Sequence, residues 1–172
     1  ADVQDSRIII IKDGQNKGLA VRLNEVINLA KGRYFARMDQ DDFSYPDRLS
    51  KQVGVLEVNL DLDLLATRAI KISMEDEPVG YLPSSLSHAE ITAAPWRGFY
   101  MPHPTWMGRL QWFKKNHYAD PAPYLTEDQE LLLRTFEESN FACVEEVCLA
   151  YRVRDSVDFN KLVKIHYHQL CI

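Results

Sequence analysis

The chain has 172 residues, 46% hydrophobic and 26% charged, enough for one globular domain with a core of its own. Its net charge is −5 and its pI about 5.5, with no basic block or arm, which argues against a nucleic-acid footprint. No apolar run approaches the ~20 residues of a membrane span, no signal peptide is visible, and the first residue is not Met, so the sequence reads as a processed chain or an excised domain. Three cysteines (Cys143, Cys148, Cys171) without metal-ligand spacing read as buried reduced thiols in a cytosolic setting rather than a disulfide framework.

In chain order, Arg7 to Lys12 is a β-branched run that predicts a short strand covered on both faces. Leu19, Leu23, Val26, Ile27 and Ala30 then fall on one helical face, with Gly32 as a natural stop. Tyr34 to Met38 predicts a strand. Pro46 suits the first turn of a second helix with Leu49, Val53 and Leu56 as its apolar stripe. Leu64 to Ser73 predicts another strand, followed by a turn at Glu75 to Pro78 and an exposed hairpin. Ser87-His88-Ala89-Glu90 is a capping box. The prolines of Pro102-His103-Pro104-Thr105-Trp106-Met107 predict an extended segment. Leu110 to Lys115 predicts a short helix, Asp120 to Pro123 a loop, and Thr126 caps a helix from Glu127 to about Ser139, with Leu131, Leu132 and Phe136 inward. Val144 to Val153 predicts the last strand, and residues 160–172 are weakly helical. The β-α-β-α-β alternation predicts an α/β fold with helices on both faces of a sheet.

The densest chemistry is Asp39-Gln40-Asp41-Asp42, placed after the Tyr34 to Met38 strand. Three carboxylates in four residues repel one another. A hard divalent cation relieves that repulsion, and magnesium is commonly held by one or two carboxylates plus substrate phosphates. In α/β sheets, ligands bind beyond the carboxyl ends of strands, which is where this cluster sits. In isolation, an acidic turn is the more economical reading. Trp96, Trp106 and Trp112 default to core or rim packing rather than sugar stacking. Arg37, Arg48 and Arg134 default to solvated or structural roles.

Taken together, Asn16-Lys17-Gly18-Leu19-Ala20, Asn24, Ala30-Lys31-Gly32, Ala36-Arg37-Met38-Asp39-Gln40-Asp41-Asp42, Pro46-Asp47-Arg48-Leu49, His103-Pro104-Thr105 and Thr126-Glu127-Asp128-Gln129-Glu130 resemble family-2 glycosyltransferases of the GT-A fold. The resemblance covers roughly residues 6 to 156. It implies one GT-A-like domain over residues 1–172, a mixed sheet flanked by helices. It implies inverting transfer of a sugar from a nucleotide-diphosphate donor to an acceptor hydroxyl of a glycan or lipid-linked acceptor, in polysaccharide or other glycan biosynthesis. Asp39 would hold the ribose or sugar side of the donor. Asp41 and Asp42 would bind Mg²⁺ or Mn²⁺ at the diphosphate. Asp128 would be the general base, with Glu127 beside it and His103 under the acceptor side. Asn16 and Lys17 would reach the nucleotide, because their segment leads into a helix N-terminus. That same first-turn setting, for Asp128, is expected to keep its carboxylate ionised.

Two departures matter. The family's first strand, helix and second strand have no counterpart, so an N-terminally truncated sheet is expected, with an exposed edge open to homo-oligomer pairing. The family's Y-R-x-H segment reads Tyr151-Arg152-Val153-Arg154; Arg154 cannot bind a cation, although it could contact a diphosphate. No Q-x-x-R-W segment follows the Glu127 helix, which favours single addition over polymer synthesis. The expected setting is cytoplasmic, at the inner membrane face through partners. Two other readings stay open: a non-catalytic truncated domain or interaction module, and a nucleotidyltransferase of related fold.

Overall fold

The computed structural model describes residues 5–123 and 125–154. From residue 19 onward the elements are α1 (Leu19–Leu29), β1 (Tyr34–Ala36), β2 (Phe43–Ser44), α2 (Arg48–Val58), β3 (Leu64–Ile72), β4 (Pro78–Tyr81), α3 (His88–Ile91), β5 (Met107–Arg109), α4 (Leu110–Lys115), α5 (Glu127–Thr135) and β6 (Phe141–Arg152). The strands form one mixed sheet ordered β1-β5-β3-β6-β2, with β4 paired to β3 off that path. β3 and β6 run parallel and the other pairs are antiparallel.

The near-continuous apolar sequence of β3 follows from its central place, since both of its faces are covered. Alternate residues point to opposite layers. Leu64 and Ala66 on β3, with Phe141 and Cys143 on β6, enter a large core with Leu23 and Ile27 of α1, Trp112 and Phe113 of α4, and Leu131 and Leu132 of α5. Leu65, with Ala142 and Val144, faces a smaller core against Val53, Val55 and Leu56 of α2. The expected helices on both faces are therefore present. The capping box is also formed, with Glu90 N donating to Ser87 Oγ at 3.3 Å and Ser87 N to Glu90 Oε2 at 3.0 Å.

Several expectations are corrected. Arg7 to Lys12 is not a strand: Ile8 to Ile11 are exposed coil, and β1 pairs only with β5. A β-branched run becomes a strand only where a neighbouring strand takes its backbone groups, and no strand among the described residues pairs with this one. The inward face of α2 is Arg48, Gln52 and Leu56, while Leu49 is exposed. A helix can bury Arg and Gln where their polar ends find partners, which periodicity of apolar residues does not register. Likewise α1 buries Ala20, Leu23 and Ile27, leaving Leu19 and Val26 exposed, and it closes at Ala30 before Gly32. Pro46 lies in the turn before α2, residues His103–Thr105 make a 3₁₀ turn rather than an extended run, and α5 ends at Thr135. Residues 160–172 lie outside the described residues.

Gly108 is fixed by space. A Cβ there would stand 2.7 Å from the Asp63 carbonyl oxygen and 3.0 Å from both Leu64 Cδ1 and Phe113 Cε2. Gly108→Ala is expected to lower unfolding free energy by about 1–3 kcal/mol, read as a lower denaturant midpoint with an unchanged slope. A midpoint equal to the wild type would show that this sheet packing is wrong.

Candidate active site

Between β1 and β2 the chain makes a turn that carries all three acids of the cluster, and buried side chains from elsewhere fasten that turn. Arg37 N donates to the Trp106 carbonyl at 2.8 Å. Arg48, 1% exposed, donates Nη2 to the Arg37 carbonyl at 2.5 Å and Nε to Gln52 Oε1 at 3.1 Å. Gln52 Nε2 then donates to the carbonyls of Thr105 at 2.8 Å and Leu65 at 3.2 Å. Thr105 Oγ1 accepts from Thr67 N at 2.9 Å and donates to the Pro102 carbonyl at 2.8 Å. The Pro-Asp-Arg-Leu and His-Pro-Thr segments thus act as braces that tie the acidic turn to the central strand.

From the other side comes Arg152 at the end of β6. Its backbone N donates to Asp42 Oδ1 at 3.0 Å, Nε to the Asp41 carbonyl at 3.2 Å, and Nη1 to the Ser73 carbonyl at 2.9 Å. The sequence does not mark this positioning residue, since the Y-R-x-H pattern singles out its fourth position, here Arg154. The available signal was a second arginine beside Tyr151 at the end of a strand.

A cleft of about 410 Å³ opens beside this turn, with Arg37, Asp39, His103, Glu127, Asp128 and Tyr151 in its wall. Asp39 and Asp128, far apart in sequence, share one space. Asp41 and Asp42 are not in the cleft wall but at the turn beside it. Asp128 is half-buried, and its Oδ2 accepts from Gln129 Nε2 at 3.2 Å. Gln129 is itself fixed, its Oε1 accepting from Phe99 N at 2.7 Å. Loss of hydration pushes the Asp128 carboxyl above its ordinary range, and the same cause raises Glu127. The helix-terminus argument for a readily ionised Asp128 is therefore corrected: burial outweighs the dipole, and the group is the stronger base for it.

His103 is buried, with Nε2 hydrogen-bonded to Tyr118 Oη at 2.8 Å and Nδ1 3.9 Å from Glu127 Oε1. Burial, and then the Arg37 charge, hold its pKa well below the usual value, so the imidazole is neutral and no ion pair with Glu127 forms. Asn24 secures Tyr118 by accepting from its N at 3.0 Å and donating to its carbonyl at 2.9 Å. A relay of Asn24, Tyr118 and His103 therefore sets the position of the imidazole at the cleft wall.

Asp42 is 6% exposed; Oδ1 is taken by Arg152, while Oδ2 is buried with no hydrogen-bond partner among the described residues. Asp41 is exposed on the same turn. An orphaned carboxylate oxygen beside an available carboxylate fits a hard divalent cation that takes its other ligands from phosphate oxygens. Among the described residues no group of three or more His, Cys, Asp or Glu is placed to hold a metal, so the chain would contribute these two carboxylates. Burial, with smaller contributions from Asp39 and Asp41, lifts the Asp42 pKa to about 6. The folded state then holds the proton more tightly than the unfolded chain. Stability is fullest below the ordinary Asp pKa and declines as pH rises to about 6. In chelator, Asp42→Asn is expected to be about 1–2 kcal/mol more stable than the wild type at pH 8, with the difference vanishing below about pH 4. A variant less stable at pH 8 would contradict this.

The remaining expected donor contacts are not brought to the cleft wall. Asn16 is exposed, its side-chain oxygen accepting from Gly18 N at 3.2 Å. Lys17 pairs with Asp13 and Glu25, each at 2.8 Å. Arg154 is exposed at the end of the described chain. Trp106 and Trp112 are core residues, whereas Trp96 is exposed.

Residues 1–116 match the family described as Glycosyl transferase family 2. The uncharacterized glycosyltransferase MJ1057 of Methanocaldococcus jannaschii is 29% identical over 163 residues, 94% of this chain and 56% of its own length. EpsE of Bacillus subtilis, named as a glycosyltransferase, is 32% identical over 154 residues, 88% of this chain and 54% of its own length. The chain thus spans about half the length of these curated relatives. In fold, it is similar to residues 1–349 of Staphylococcus aureus TarS in complex with UDP-GlcNAc, at a TM-score of 0.59 and 13% identity over 81% of this chain and 40% of that one. The mixed sheet, the braced acidic turn and the sequence match agree, and the chain belongs to glycosyl transferase family 2.

Proposed function

We propose that this domain transfers a sugar, with inversion, from a nucleotide-diphosphate donor to an acceptor hydroxyl in glycan assembly. The observation that carries the reading is that one cleft is lined by both Asp39 and Asp128. A relative named as a UDP-glucose-dependent glucosyltransferase acting on a diphosphoundecaprenol-linked acceptor, WfaP of Escherichia coli, is 42% identical over 55 residues and supports a nucleotide-sugar donor. TarS bound to UDP-GlcNAc supports the same.

Asp39 holds the donor on the ribose and sugar side. Asp41 and Asp42 hold Mg²⁺ or Mn²⁺, which when bound offsets the negative charge of the departing diphosphate. Asp128 takes the proton of the acceptor hydroxyl as that oxygen bonds to the anomeric carbon, while the bond from that carbon to the phosphate oxygen breaks on the opposite face. The neutral His103, fixed by Tyr118, offers a polar contact to the acceptor without adding charge beside the base.

Calorimetric titration with UDP, GDP and their sugars, with and without Mg²⁺, tests this directly. The expected result is Mg²⁺-dependent binding of one nucleotide series that Asp41→Ala weakens. No binding by any nucleotide, in either condition, would sink the reading and leave a non-catalytic domain.

A further inference from the structure

We propose that Arg37 is the diphosphate anchor of the cleft, donating a guanidinium N–H to a phosphate oxygen of the ligand. The proposal rests on the nucleotide-sugar reading above and assigns a residue that reading does not use.

Arg37 is 5% exposed and lines the cleft. Its Nη2 donates to Asp39 Oδ1 at 2.6 Å. Its Nε and Nη1 are buried with no hydrogen-bond partner among the described residues. Leaving charged donors both dry and unpaired is costly, and such groups in a folded protein call for a partner. Arg48 supplies the internal comparison. It is as deeply buried, but its Nε and Nη2 both have partners and none of its nitrogens is at once buried and unpaired. A structural arginine in this protein therefore looks like Arg48, and Arg37 differs from it.

The chemistry of the missing partner follows from the surroundings. Arg37 is the one cationic side chain among the described residues of the cleft wall, where Asp39, Glu127 and Asp128 are acids and His103 is neutral. It can neutralise an anion that the acids would otherwise repel. Nη1 lies cis to Cδ, so it does not share an edge of the guanidinium plane with Nε. A phosphate oxygen can take the donor on either edge, and the paired negative charges of a diphosphate suit the one cation of this acidic wall. Asp39 then has two tasks, facing the donor and holding the Arg37 plane in orientation. A guanidinium fixed at the bond that breaks also stabilises the leaving group as its charge grows, without moving.

The test is calorimetric titration of the wild-type chain, Arg37→Met and Arg37→Lys with UDP, GDP, UDP-glucose and UDP-glucuronate in Mg²⁺, with uridine and guanosine as controls and melting temperatures in parallel. Arg37→Met is expected to weaken the diphosphate and its sugars alike by about tenfold or more, with nucleoside binding unchanged and melting temperature equal or higher. Arg37→Lys is expected to recover part of the affinity, since it restores the charge and not the fork. Diphosphate affinity within about twofold of wild type in Arg37→Met would overturn the proposal while leaving the nucleotide-sugar reading intact. A loss confined to UDP-glucuronate would overturn it in favour of a sugar carboxylate. A lower melting temperature with unchanged diphosphate affinity would return Arg37 to a structural role. If the wild-type chain binds none of the nucleotides, the nucleotide-sugar reading fails and the anchor fails with it.

Discussion

Asp128→Asn is expected to lower the rate of sugar transfer by about 10²–10⁴-fold while nucleotide-diphosphate affinity stays within about twofold of wild type. The amide keeps the size of the side chain and its contact with Gln129, but it cannot accept a proton. In the proposed mechanism the donor is held by Asp39 and its turn rather than by Asp128, so binding and proton removal are separable. A pH profile sharpens the expectation. Asp128 acts as a base only when deprotonated, and burial lifts its pKa above the usual carboxylate range. Activity should therefore fall as pH drops through a value above that range, and the Asn variant should lose this limb. Glu127→Gln is the companion. Glu127 is also lifted by burial, but it lies 3.9 Å from a neutral imidazole, and its replacement should cost less than that of Asp128. Equal losses in the two variants would move the base assignment off Asp128. The assay uses the nucleotide sugar that titration selects, followed as donor hydrolysis or transfer.

The second large effect is structural. Trp106→Ala is expected to lower unfolding free energy by about 3–5 kcal/mol, close to the total stability of many domains of this size. Trp106 is fully buried in the large core. Its indole Nε1 donates to the Met101 carbonyl at 3.2 Å, its ring meets His103 edge-on with centroids 4.5 Å apart, and its own carbonyl receives Arg37 N. The Ala variant leaves a cavity and an unpaired Met101 carbonyl. It also loosens both the acidic turn and the histidine in the cleft wall. Trp106→Phe keeps most of the volume and should lose much less. Nucleotide affinity should fall in Trp106→Ala even at temperatures where it remains folded, since the backbone bond from Arg37 loses its rigid support. A folded Ala variant that binds as well as wild type would show that the turn is held by Arg48 and Arg152 alone.

The parts of the fold legible in the sequence were those with local causes. Ser87 and Glu90 declared a helix start, Leu131 and Leu132 an inward face, and the run from Leu64 to Ser73 a strand, which the fold forms over Leu64–Ile72. What failed depended on distant partners. Ile8 to Ile11 had the composition of a strand without a neighbour to pair with. The apolar stripe expected for α2 passed over Arg48 and Gln52, because hydropathy cannot register carbonyls at Arg37, Leu65 and Thr105 waiting to be capped.

The candidate site divided along the same line. Asp39, Glu127, Asp128 and His103 could be named from the family resemblance, and the fold brings all four to one cleft. The sign of the Asp128 shift could not be, because the dipole of its own helix is visible in sequence and its burial in the fold is not. Nor could the roles of Arg37 and Arg152, which depend on one having its donors left open and the other having them closed.

The most direct measurement is a crystal structure of the chain with its selected nucleoside diphosphate and Mn²⁺, using the anomalous signal to place the metal. The expected result is manganese at the Asp41 and Asp42 carboxylates, with the diphosphate between that turn and Arg37 and the open side of the cleft facing Asp128. Nucleotide bound away from Asp39 and Asp128, or manganese bound away from the acidic turn, would contradict the assignment of this cleft as a nucleotide-sugar transfer site.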